Sequence, residues 1–199
     1  MAFGAATLTT NIRKLVLYEG WPVPDPSIYA LPAGVVRRMD KLLAEGDRDA
    51  VVEVLFRSVE EISDEDMAAL RAAPSWPGRV AAAHAVTREI LGETQAQLEK
   101  EQAAKINISV LLLTGEKSTD PAKREVDSVV AALPHGQVLV LAGQQHIADI
   151  LDPATFAKHL LDFLHGPNRA APQVSLSELS RTSEDKIKNS VASRYRAHS

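Results

Sequence analysis

The chain has 199 residues, 45% of them apolar, a formal charge of -4 and no cysteine. That length and apolar fraction allow one real core plus an appendage, while the weak negative charge gives no overall field for nucleic acid or an anionic membrane and does not favour acidic substrates. The missing cysteines exclude disulfides, thiolate catalysis and Cys-based metal sites and fit a reducing compartment; with no basic leader in Met1–Leu8 and no run near the roughly 18 apolar residues of a membrane span, the expectation is a soluble cytoplasmic protein.

In chain order, Arg13-Lys14 leads into Leu15-Val16-Leu17-Tyr18-Glu19-Gly20, an apolar run bounded by polar and glycine punctuation that predicts a strand covered on both faces. Trp21 to Pro32 holds Pro22, Pro24, Pro26 and Pro32. Each lacks an amide donor and restricts the residue before it, so a loop leaves the sheet there. From Gly34 to about Ala104 the pattern is helical, with Val35, Val36, Met39, Leu42 and Leu43 on one stripe and Val51, Val52, Leu55, Phe56 and Val59 on the next. Ser63 and Asp66 resemble a capping box for a helix to Ala73, Pro74, Pro77 and Gly78 break it, and a further helix is predicted from Val80 to Lys105. An insertion this long exceeds what a crossover needs, so it reads as a helical cap above the strand ends.

The second buried strand, residues 108–113, ends in Thr114-Gly115-Glu116-Lys117-Ser118-Thr119-Asp120. A helix from Pro121 to Leu133, the turn Pro134-His135-Gly136, a strand Val138–Leu141, the loop Gly143-Gln144-Gln145-His146 and a helix from Pro153 to Leu164 follow. Strands alternating with helices specify a parallel sheet with right-handed crossovers. The fold class is therefore α/β: a partial parallel sheet of three strands with flanking helices, a helical cap insertion and a C-terminal tail. Residues 1–20 and 106–165 form an incomplete core, 21–105 the cap and 166–199 a tail, partly helical or disordered. Within that tail Ser183 can cap a short helix carrying Ile187, Val191 and Tyr195, and Arg181, Lys186, Lys188, Arg194 and Arg196 make it locally basic.

A carboxylate and an imidazole thus follow two successive buried strands, as the acid and base of a catalytic triad do. A nucleophile on a strained turn belongs earlier in that order, yet no Gly-x-Ser-x-Gly occurs in the sequence. Asp120 before Pro121, like Asp152 before Pro153, is also explained as a helix N-cap. The other histidines, His84, His135, His159, His165 and His198, offer no converging ligands at metal spacing, and no glycine-rich phosphate loop follows a strand, so neither a metal nor any other cofactor is expected.

The series of strand Leu15–Tyr18 with Glu19, proline-rich exit, helical insertion, strand ending Thr114-Gly115-Glu116, strand Val138–Leu141, Ala142-Gly143-Gln144-Gln145-His146 and Asp152-Pro153 resembles the C-terminal half of the α/β-hydrolase superfamily. The likeness covers roughly residues 5–165 and is nearest to capped bacterial members whose post-nucleophile helix runs into a Leu-Val-Leu-Tyr-Glu strand. The resemblance implies that His146 is the general base, oriented by a loop carboxylate, while a serine attacks an ester, amide or thioester carbonyl of a small-molecule substrate. The family's usual acid position, fourth in a Gly-x-x-Asp turn, is Ser118 here; Asp120 is the substitute, and members that draw the acid from the preceding strand's exit nominate Asp25, with Glu19 less favoured.

The nucleophile elbow and oxyanion loop would lie before residue 1, so the resemblance implies a truncated product, a mis-set start or one piece of a split enzyme. The alternative is a non-catalytic interaction module that recruits a protein partner or a second copy through an exposed edge at Leu15–Tyr18 and the cap groove.

Overall fold

Three short apolar runs pair side by side as a parallel sheet in the order β1 (Lys14–Tyr18), β2 (Ser109–Gly115) and β3 (Gly136–Leu141). The computed structural model describes residues 2–22, 31–95 and 99–166. The expectations for Asp25 and for the tail beyond Gly166 lie outside those residues. Tyr18 stands opposite Leu113, and Gly115 opposite Leu141, so the carboxyl ends of all three strands open at one edge. In open parallel sheets that edge is where sites form.

All seven residues of β2 are buried, and its side chains feed two cores by alternation. Val110 and Leu112 join Leu15, Leu17 and the inner face of α7 (Asp120–Ala132), with Phe3 of α1 (Ala2–Leu8) closing that side. Leu111 and Leu113 join Leu141 and Ala148 on the other face, where α8 (Ala148–Leu151) and α9 (Pro153–His165) cover the sheet through Phe156, Leu160 and Phe163. A central parallel strand has no solvent face, which is why its sequence is a continuous apolar run. The outer strand β1 is covered less evenly: Leu15 and Leu17 are buried, whereas Val16 and Tyr18 are half-buried.

Between β1 and β2 the chain forms α2 (Val35–Ala44), α3 (Arg48–Ser58), α4 (Asp64–Ala72), α5 (Trp76–Gln95) and α6 (Lys100–Ala103). The Ser63 hydroxyl accepts from the Asp66 amide at 3.0 Å and starts α4. Met39, Val51, Val52, Met67 and Leu70 form a separate core among these helices. These five are at most 1% exposed, so the insertion has an interior of its own.

Two boundaries differ from expectation. The helix predicted over 80–105 is two helices, and the first begins at Trp76, because Pro77 in an opening turn lacks only an amide that would have no helical partner there. Thr119, not Asp120, caps α7: its side chain accepts from the Ala122 amide at 3.4 Å, which leaves Asp120 within the first turn.

Candidate active site

The site is built on the residue that ends β1. Glu19 has φ +41°, a left-handed backbone uncommon outside glycine, and its amide donates to the Leu113 carbonyl at 3.2 Å. This turn folds the side chain back across the end of β2. There Oε1 accepts from Thr114 Oγ1 at 2.9 Å, from the Gly115 amide at 2.8 Å and from the Ser118 hydroxyl. Oε2 faces His146 Nδ1 at 3.0 Å, with the carboxylate side chain only 6% exposed.

His146 is held on the β3–α8 connection from several sides. The Tyr18 ring stacks on the imidazole with centroids 6.2 Å apart and 22° between planes. Its hydroxyl donates to the Gln145 carbonyl at 2.5 Å and accepts from the Ala148 amide at 2.8 Å, bracketing His146 by backbone bonds on both sides. The Gln144 carbonyl accepts from the Lys117 amide at 2.8 Å. From the helical insertion, the Glu61 carbonyl accepts from Gln145 Nε2 at 3.1 Å, and Ile147 is buried in that insertion's core. Gly115 is required where the loop crosses β2: a Cβ there would stand 2.7 Å from the Gln144 carbonyl carbon.

Burial alone would raise the Glu19 carboxyl, yet the combined hydrogen bonds from His146, Ser118 and the Gly115 amide hold it below its ordinary value. Burial likewise works against charged His146, and here the Glu19 hydrogen bond with the fields of Glu60, Glu19 and Asp149 prevails, leaving the imidazole above its ordinary value. Burial raises the Tyr18 phenol well above its usual range, so it stays a neutral hydrogen-bonding group. Ionised carboxylates only accept, so Nδ1 carries the proton and Nε2 of the neutral ring keeps its lone pair. Nε2 has no hydrogen-bond partner among the described residues. The arrangement offers an imidazole of fixed tautomer with one nitrogen able to accept a proton.

The structure therefore joins His146 to Glu19 rather than to Asp120. Asp120 opens α7 and forms no bond to the imidazole among the described residues, whereas the less favoured strand-end carboxylate occupies Nδ1. The sequence signal for this acid is Ser118. A hydroxyl at the expected acid position needs an acceptor beside it, and Glu19 is that acceptor. Tyr18 and Glu60 gave no sequence signal, since one reads as a strand aromatic and the other as a solvated helix end.

No family model and no curated protein matches the sequence. Solved structures do match: an α/β hydrolase from Sphaerobacter thermophilus is 25% identical over 81% of this chain with a TM-score of 0.63, and an α/β hydrolase from a Medee basin deep-sea metagenome library is 14% identical over 87% with a TM-score of 0.62. The chain has the fold of the α/β-hydrolase superfamily. The enol-lactonase of Burkholderia xenovorans shares the fold at 19% identity over 82% of the chain, TM-score 0.54. The chain spans 62%, 63% and 60% of these three hydrolases respectively. Among the described residues, no helix is long and apolar enough to cross a membrane, and no three His, Cys, Asp or Glu side chains gather as metal ligands.

Proposed function

We propose that Glu19 and His146 are the acid and base of a hydrolase site that cleaves an ester, amide or thioester of a small molecule, with the serine nucleophile supplied by polypeptide outside these 199 residues. In this reading residues 1–20 and 106–165 are the incomplete catalytic core, and 21–105 the cap that roofs it. The single observation that supports it most is the 3.0 Å contact of a buried carboxylate with Nδ1, beside an Nε2 without a partner among the described residues. A serine placed at Nε2 loses its proton to the imidazole as it attacks the carbonyl, and Glu19 stabilises the imidazolium that forms. The leaving group departs with that proton, and a water deprotonated by the same imidazole then cleaves the acyl-serine and restores the hydroxyl.

The test uses the polypeptide read in frame through Met1 from upstream, or this chain mixed with a separately expressed segment bearing Gly-x-Ser-x-Gly, assayed on short p-nitrophenyl esters. His146→Ala should lower kcat by roughly 10⁴-fold and Glu19→Gln by a comparable order, with Asp120→Asn unchanged. Full turnover in Glu19→Gln together with loss in Asp120→Asn would return the acid role to Asp120.

A second reading has its own observation. Strand β1 pairs only with β2 among the described residues, which leaves its other edge open to a further strand from a protein partner or a second copy in a non-catalytic interaction module. Size-exclusion chromatography of the purified chain separates the two: assembly without ester turnover under any complementation favours the module, and a stable monomer counts against it.

A further inference from the structure

The imidazole meets a second carboxylate that the acid–base reading does not use. Glu60 lies in the turn between α3 and α4, and its Oε2 stands 3.4 Å from His146 Nδ1, the same nitrogen that Glu19 Oε2 approaches to 3.0 Å. Its side chain is 23% exposed, so much of its field reaches the ring without passing through water. The turn is held in place by three further links. Glu61 has φ +52° and offers its carbonyl to Gln145, Ile147 is buried among the cap helices, and α4 packs on α8. The remaining charged groups facing the ring are Glu19 at the exit of β1 and Asp149 on α8, while Tyr18 adds an uncharged face.

Building on the reading of His146 as the base, we propose that Glu60 is a positioning residue: a cap-borne carboxylate that shares the Nδ1 proton with Glu19 and makes the basicity of Nε2 depend on the cap being seated. The proton on Nδ1 stays there in both arrangements, and only the proton exchanged at Nε2 takes part in the chemistry. With the cap down, two negative neighbours favour the imidazolium. With the cap lifted, Glu60 departs and Glu19 alone remains, so the ring is a weaker base when the site is open to water. A cap of this kind would strengthen the base when substrate is enclosed, in addition to roofing the pocket.

The experiment reads protonation rather than turnover, in the 199-residue chain with isotope-labelled histidine, following all six imidazoles by NMR against pH and assigning His146 by its loss in His146→Gln. Glu60→Gln should move the His146 midpoint to lower pH and leave the other histidines where they are. Glu60→Asp should restore part of the shift, and Glu61→Gln, which retains the carbonyl that Gln145 uses, should leave the midpoint unmoved. An unchanged midpoint in folded Glu60→Gln overturns the proposal. Should that variant fail to fold, the Glu60 carboxyl carbon of the unaltered chain serves instead: an inflection at the His146 midpoint supports the coupling, and its absence overturns it. Failure here leaves the Glu19–His146 pair intact, whereas failure of that pair would appear as turnover surviving Glu19→Gln.

Discussion

The Glu19 carboxylate takes donors from Thr114, Gly115 and Ser118 on one oxygen and faces His146 with the other, so it is fixed in position and kept ionised by the same contacts. Glu19 is lowered from an ordinary 4.5, so its contribution to stability is present above that pH and is lost as pH falls through the folded-state value. His146 is raised from an ordinary 6.5, so its contribution is full below that pH and is lost as pH rises through its folded-state value. The pair therefore stabilises the fold most between about pH 4.5 and 6.5. Urea midpoints measured across pH should show this maximum, and His146→Gln should remove the decline on the alkaline side; a decline of equal size in that variant would assign it to another group.

At the scale of elements, the sequence announced more of the fold than of the site. The buried run of β2, the Ser63 cap of α4 and the helix following Pro153 were legible because each is set by neighbours in the chain: alternation, a hydroxyl three residues before an amide, a proline in a first turn. The crossing of β2 by the His146 loop was not legible, because it depends on two segments nearly thirty residues apart meeting at Gly115. Gly115→Ala should cost about 1–3 kcal/mol in urea unfolding, since the added methyl meets the fixed Gln144 backbone and not a flexible side chain. The same change should alter the His146 titration, and an unaltered midpoint would mean that the loop gives way without moving the ring.

Over the whole molecule, the interior of the helical insertion takes in Ile147 and the partly buried Ile150 from the segment that follows β3. Ile147 follows His146 in the chain, is 1% exposed, and belongs to the core of the helical insertion rather than to either face of the sheet. Ile147→Ala should lower stability by about 2–5 kcal/mol through the cavity it leaves. Trp76 sits in that same core, so its fluorescence should report the loss at lower urea than far-UV circular dichroism does. A matching truncation at Leu161, 51% exposed on α9, should change stability by less than about 0.5 kcal/mol. Equal losses at the two positions would show that burial in that interior does not set the contribution of Ile147.

The sequence by itself determined that this is an α/β chain with three apolar strands, a helical insertion and an imidazole beyond the last strand, because periodicity and turn chemistry are properties of adjacent residues. Which carboxylate meets that imidazole was decided only in three dimensions. Asp120, Asp25 and Glu19 all follow strands of the same sheet, and distance along the chain does not rank them. A left-handed turn at Glu19, a hydroxyl at Ser118 and the register that aligns Tyr18 with Leu113 bring Glu19 to Nδ1, while Asp120 stands in the first turn of α7.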